Sequence, residues 1–125
     1  MTTETIRIGL IGPGAIAPSH AFAIEKTGAT QLTAICGRST EKVAHLADQY
    51  GATHYTDPAK MIAAVDAVAL CTPSGTHLEF ALDIIAAGKH LLIEKPLEIT
   101  TERVDQIIAA AEVKGVVLAG VFQSR

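Results

Sequence analysis

Aromatic residues make up only 4% of this 125-residue chain, against 49% hydrophobic residues in all. With so few rings the core has to be aliphatic and alanine-rich, a filling that suits helices packed closely on a sheet of Val, Ile and Leu. Cysteine is scarce as well. Cys36 and Cys71 have neither zinc spacing nor a CxxC pattern, and they read as free, buried thiols at strand ends in a reducing compartment. The histidines His20, His45, His54, His77 and His90 share no metal-ligand spacing, so no metal is expected. Positive charge is neither abundant nor clustered: ten Lys and Arg stand against 13 Asp and Glu, for a formal net charge of −3. That balance gives no electrostatic reason for a nucleic-acid partner. No apolar run reaches the length of a membrane span or of a signal peptide's apolar region, and the polar start MTTETIR is not expected to act as one. A cytoplasmic protein with no membrane partner is expected. The length fits one domain, residues 1–125, large enough for a real core without disulfides or metal.

What the chain does have is RIGLIGPGAIA, from Arg7 to Ala17: a short apolar strand that runs into a glycine turn and then into a helix. Gly12, Gly14 and Ala17 fit a G-x-G-x-x-G/A spacing, and each small residue has its own physical job. Gly12 permits the tight turn. Gly14 has no β-carbon, so a pyrophosphate can approach the backbone, and Ala17 lets the helix lie close to the strand. The free N–H groups of the first helical turn, with the helix dipole behind them, face the phosphates. Gly12, Pro13, Gly14, Ala15 and Ile16 are therefore a candidate phosphate-binding turn; a tight turn in some other α/β protein is the alternative.

The rest alternates strand and helix. A helix over Ile16–Thr27 carries Ile16, Ala17, Phe22, Ala23 and Ile24 and closes at Gly28, with Pro18 tolerated in its first turn. A strand at Gln31–Cys36, a helix at Thr40–Tyr50 and a short edge strand at Thr53–Tyr55 follow. Asp57-Pro58 reads as an N-cap with proline at the first helical position, opening a helix to about Ala64. Ala67–Cys71 is a fully apolar strand, Thr76–Ala87 a helix burying Leu78, Ala81, Leu82 and Ile85, and His90–Glu94 a strand. Thr101–Lys114 is a helix ended by Gly115, and Val116–Val121 is a sixth strand. Right-handed crossovers then give an α/β, doubly wound Rossmann fold: a six-stranded parallel sheet in the order 3-2-1-4-5-6, with helices on both faces. Ligands of such sheets bind where the winding reverses, outside the carboxyl ends of strands one and four. That crevice is bordered by residues 12–14, 37–39, 72–75 and 94–96.

The end of strand two bears on cofactor choice. An acid about 20 residues after the glycines usually binds the ribose 2′-OH of NAD. Here Gly37-Arg38-Ser39 stands instead, with no carboxylate to repel a 2′-phosphate and with a guanidinium fork and a hydroxyl to receive it. NADP is favoured and NAD possible; Arg38 as a solvated loop residue stacking on adenine of either cofactor is the alternative. At the end of the fifth strand, Lys95 is held extended by Pro96 at the mouth of the crevice. A lysine so placed beside a nicotinamide could orient a hydroxyl or carbonyl and pass its proton while hydride moves. A surface lysine snorkelling from a strand end is the plainer account.

Taken together, GPGAIA, CTPSGTH (71–77), EKPLE (94–98) and GVFQSR (120–125) resemble the N-terminal domain of the Gfo/Idh/MocA oxidoreductases, along essentially the whole chain. The resemblance implies NAD(P)-dependent hydride transfer to or from a sugar, cyclitol or related polyol, with Lys95 as the catalytic lysine. It implies that Cys71, Thr72, Pro73, Ser74 and His77 lie along the cofactor, that Glu94 approaches the nicotinamide ribose, and that Gln123 is near the nicotinamide. For His77, packing at a helix N-terminus is an equally good account.

Members of that family continue for about two hundred residues into a substrate-binding domain, an ordinary size for a second domain. The chain stops at Arg125, so it reads as an isolated or truncated cofactor domain, with a sugar or polyol partner only when a second domain is present. Two functional classes stand: the cofactor half of a dehydrogenase, or a non-catalytic dinucleotide-binding, redox-sensing module. Lys95 separates them, because a sensor has no need of a lysine at the nicotinamide end. The face carrying Lys95, Leu97, Ile99, Val121 and Phe122 is apolar enough to expect a homo-oligomer.

Overall fold

The structure is a computed structural model, and it describes residues 5–12, 17–37, 40–72, 76–93 and 100–120. Its elements are β1 (Ile6–Ile11), α1 (Ala17–Lys26), β2 (Thr30–Cys36), α2 (Thr40–Tyr50), β3 (Thr53–Tyr55), α3 (Pro58–Ala63), β4 (Ala67–Leu70), α4 (His77–Ala86), β5 (His90–Ile93), α5 (Thr101–Lys114) and β6 (Leu118–Gly120). All strand pairs are parallel, and the sheet runs β3-β2-β1-β4-β5-β6. This is the doubly wound order that the alternation of elements implies.

Helices α3 and α5 carry their own start signals, and α5 its stop. Asp57 caps α3, its Oδ1 accepting from the Ala59 amide at 3.0 Å, with Pro58 next in the chain. Thr100 caps α5 through its Oγ1, which accepts from the Arg103 amide at 3.2 Å, and Gly115 ends that helix at φ +77°. A side-chain oxygen at such a position satisfies an otherwise orphan helix N–H and is worth about 1 kcal/mol.

The sheet is covered on both faces. Leu10, Leu32, Ile35, Ala69 and the α1 and α2 residues Ala21, Ile24, Val43, Leu46 and Ala47 form one apolar layer. Ile11, Cys36, Val68, Leu70, Leu91 and Ile93 face the other way, against Met61, Ile62, Ala81, Ile84, Ile85, Ile107 and Ala111 of α3, α4 and α5. Each of the fully buried Leu and Ile side chains contributes about 1.5–3 kcal/mol of burial. Gly9 shows how tightly α3 is seated, because a β-carbon there would lie 2.7 Å from Met61 Cε and 3.2 Å from Val65 Cγ1.

One irregularity organises β2. Ile8 pairs with Leu32 but Gly9 with Ala34, so Thr33 is an extra residue in the ladder. A bulge of this kind resets the alternation of side chains. It is why Leu32 and Ile35, three residues apart, enter the same layer.

At the amino ends of the strands, Arg7 and Asp66 lock β1 to β4. The Asp66 carboxylate accepts from the Arg7 amide (Oδ2, 2.9 Å), from Nε (Oδ2, 3.2 Å) and from a terminal guanidinium nitrogen (Oδ1, 2.9 Å), while the Asp66 amide donates to the Arg7 carbonyl at 2.8 Å. These bonds hold the Asp66 carboxyl down to about 2. On the α4/α5 side, Arg103 reaches both oxygens of Glu79, at 2.7 and 2.6 Å.

The structure corrects several details of the sequence reading. Phe22 is 61% exposed, with Lys26 Nζ 5.9 Å above its ring, and Ala23 is exposed; Ala21 and Ile24 are the buried residues of α1. In α4, Leu82 is exposed and Ile84 takes the core position expected of it. Strand β4 ends at Leu70, and Cys71 beyond it is only half-buried. Strand β6 begins at Leu118 rather than Val116, because the Val117 amide donates to His90 Nδ1 at 3.0 Å instead of to a backbone carbonyl. The apolar face expected around Lys95, Leu97, Ile99, Val121 and Phe122 lies outside the described residues. No described helix is long and apolar enough to cross a membrane.

Candidate functional site

The carboxyl ends of β1, β2 and β4 converge on Gly12. Its amide donates to the Cys36 carbonyl at 2.8 Å, and the Cys71 amide donates to the Ile11 carbonyl at 2.8 Å, so the three chains stay bonded to the point where they leave the sheet. Gly12 has φ +90°, a conformation that side chains rarely adopt. A β-carbon there would lie 2.9 Å from the Thr72 amide nitrogen, 2.9 Å from Thr72 Cγ2 and 3.0 Å from the Cys71 carbonyl carbon. Sterics and backbone conformation both demand glycine.

Thr72 is held from behind. The His77 ring is 1% exposed, and its Nε2 lies 2.8 Å from the Thr72 carbonyl oxygen. A carbonyl can only accept, so Nε2 carries the proton. The Thr76 hydroxyl donates to Thr72 Oγ1 at 2.9 Å. The first turn of α4 thus clamps the residue that packs on Gly12.

Above this floor opens a cleft of about 440 Å³, bounded by the ends of β1 and β2 (Gly12, Cys36, Gly37), by Thr56 and Pro58 on the α3 side, and by Thr72, Thr76 and Phe80 on the α4 side. Its volume falls within the range of small-molecule sites. The cleft opens over the carboxyl ends of β1, β2 and β4, where the winding of the sheet reverses, and the wall of Pro58 and Phe80 suits a flat apolar ring, so the residues present fit a dinucleotide. Burial, and then the negative charge of Asp57, push the Cys36 thiol up from its ordinary value. It stays protonated and takes no nucleophilic part.

Of the sequence-predicted site residues, Gly12, Gly37 and Thr72 line this cleft together. Cys71 meets the floor through its backbone, while its side chain leans on the α1/α2 layer. His77 lies behind Thr72 and supports it. Pro13, Gly14, Ala15, Ile16, Arg38, Ser39, Pro73, Ser74, Glu94, Lys95 and Gln123 lie outside the described residues. The sequence reading missed the Cys36, Thr56, Pro58, Thr76 and Phe80 walls. Thr76 and Phe80 were findable, since they sit four apart on one helix face beginning inside CTPSGTH. Thr56 and Pro58 reach the site only through the pairing of β3 with β2. The sequence reading also finds no carboxylate near the end of β2, yet the charge of Asp57 is felt at Cys36.

With this geometry in view, comparison with known proteins is decisive. Residues 6–122 match the model of the Gfo/Idh/MocA family, described as an oxidoreductase family with an NAD-binding Rossmann fold. The chain belongs to that family. It is 34% identical over 129 residues to D-glucoside 3-dehydrogenase of Escherichia coli (strain K12), covering 100% of this chain and 37% of that protein. Against scyllo-inositol 2-dehydrogenase (NADP(+)) IolU of Bacillus subtilis (strain 168) it is 34% identical, covering 90% of this chain and 35% of that one. Among solved structures, the WlbA dehydrogenase from Bordetella pertussis, in complex with NADH and UDP-GlcNAcA, matches with a TM-score of 0.91 at 33% identity, covering 97% of this chain and 36% of that one. The Gfo/Idh/MocA chain described here therefore spans about a third of the length of the relatives it matches. It corresponds to their NAD-binding Rossmann domain, and its relatives include both NADP-named and NADH-bound members.

Proposed function

We propose that the domain binds a nicotinamide dinucleotide across the cleft and serves an oxidoreductase that transfers hydride to or from the carbon of a sugar, cyclitol or related polyol hydroxyl. The observation that carries this reading is the cleft over the carboxyl ends of β1, β2 and β4, at the point where the winding of the sheet reverses. The cofactor, when bound, supplies the hydride chemistry. The chain's own residues do the rest: Gly12 makes the tight turn, Gly14 admits the pyrophosphate, Pro13, Ala15 and Ile16 complete that turn, and Thr72, Pro73 and Ser74 border the dinucleotide. Glu94 and Gln123 flank the nicotinamide end, where Lys95 orients the substrate oxygen and exchanges its proton. Arg38 and Ser39 favour a 2′-phosphate, and hence NADP, through charge-assisted hydrogen bonds worth about 1.5–3 kcal/mol.

The substrate pocket belongs to the part of the relatives that this chain does not span. The 125 residues alone therefore bind cofactor without holding a polyol at hydride-transfer distance, and most of the rate advantage of orientation is missing. Titration calorimetry with NADP+ and NAD+ on the unmutated chain and on Gly14→Val tests the reading. Binding lost in the variant with the fold retained supports it. Wild-type affinity in Gly14→Val, or no binding of either nucleotide to the unmutated chain, overturns it.

A further inference from the structure

We propose that Asp57 is a specificity-determining residue for the dinucleotide, its carboxylate standing beside the carboxyl end of β2 and working there against a 2′-phosphate. The inference rests on the cleft being the dinucleotide site. It adds a second determinant, contributed by the N-cap of α3, that opposes Arg38.

The placement follows from register. Cys36 pairs with Tyr55 in the parallel β2–β3 ladder, so the chain leaves both strands side by side and in the same direction. Gly37 follows Cys36 as Thr56 and Asp57 follow Tyr55. The immediate neighbours of Asp57, Thr56 and Pro58, line the same cleft as Cys36 and Gly37. The carboxylate is also fixed. Asp57 Oδ1 accepts from the Ala59 amide at 3.0 Å and the Asp57 carbonyl accepts from the Met61 amide at 3.3 Å, so the side chain is tied to the start of α3. Its other oxygen accepts from none of the described residues. The charge reaches across the gap to the end of β2, where it adds to burial in raising the Cys36 thiol.

A fixed negative charge at this rim acts on the two cofactors unequally. The adenosine ribose of NAD presents a neutral 2′-hydroxyl, which a carboxylate tolerates, whereas NADP presents a dianionic phosphate. Asp57 is solvent-exposed, so the repulsion is screened by salt and amounts to a shift in preference rather than an exclusion. Cofactor choice in this chain is thus the balance of Arg38 against Asp57.

Asparagine caps a helix about as well as aspartate, so Asp57→Asn removes the charge and keeps the start of α3. NAD+ and NADP+ are titrated calorimetrically into the unmutated chain and into Asp57→Asn at low and at high KCl, with melting temperatures recorded. The expected result is an NADP+ affinity raised about three- to tenfold in the variant, NAD+ affinity within about twofold, and an NADP+ gain that shrinks as salt is raised. Parallel changes for both nucleotides, or none for NADP+, overturn the proposal while leaving the dinucleotide site intact. Failure of the unmutated chain to bind either nucleotide overturns the site itself, and the role of Asp57 with it.

Discussion

Gly12 and Thr72 are packed backbone against backbone: a β-carbon on the first would sit 2.9 Å from the amide nitrogen of the second. Because that neighbour is main chain, held at its carbonyl by His77, it cannot turn aside as a flexible side chain could. Gly12→Ala should therefore destabilise the domain by about 2–4 kcal/mol, the sum of a left-handed residue and a main-chain clash, and should abolish dinucleotide binding. Gly28→Ala is the control, with φ +75° and nothing within 4 Å of its added carbon. It should cost about 1 kcal/mol and leave binding unchanged. Urea unfolding and calorimetry on the pair separate the two contributions.

His77 is the second residue whose loss should be felt at the floor. Truncation to alanine removes a buried donor and leaves the Thr72 carbonyl without it, which should cost about 2–3 kcal/mol including the void. Dinucleotide affinity should fall as the seat of Thr72 loosens. His77→Gln retains an N–H donor and should recover part of both losses. An affinity equal in Ala and Gln variants would assign His77 to packing alone.

Much of this arrangement was legible in the sequence. Glycine stops and apolar runs mark the strands of the central sheet, and Gly12 and Thr72, both singled out in the sequence, meet at the floor. What escaped is set by contacts far apart in sequence. The Thr33 bulge depends on how β2 lies against β1, and no local pattern announces it. The start of β6 was misjudged because an imidazole replaces a ladder carbonyl. Phe22 and Leu82 satisfy a helical period but point away from the sheet, since the Ala-rich helices offer more than one apolar stripe. Asp57 was read correctly as a cap, yet its nearness to the end of β2 follows only from strand pairing.

Acid should weaken the Arg7–Asp66 lock. The folded-state carboxyl titrates at about 2, below its ordinary value of 3.8, so its contribution is complete above the unfolded-state value and is lost as pH falls from about 4 through about 2. Both side chains are substantially exposed, at 55% and 41%, which discounts the contribution to about 1 kcal/mol or less. Asp66→Asn should lower stability by that amount at pH 7, and the gap to the unmutated chain should narrow through pH 2 and close below it. Stability curves at several pH values check this, and high salt should narrow the gap as well.

The hydroxyl of Thr33 is buried without a hydrogen-bond partner among the described residues. Thr33→Val keeps the shape and removes the desolvated group, so it should stabilise the domain by about 1 kcal/mol. A raised denaturation midpoint with an unchanged m-value is the expected signature.

The two ends of β1 carry different work. Arg7 is tied to Asp66 at one end and Gly12 is seated on Thr72 at the other, five residues and about 17 Å apart along an extended strand. At that separation, effects of substitution should simply add, to within about 0.5 kcal/mol. The lock can therefore be strengthened or lost over evolutionary time without altering what the cleft recognises, and cofactor preference can drift without first being paid back in stability at the far edge.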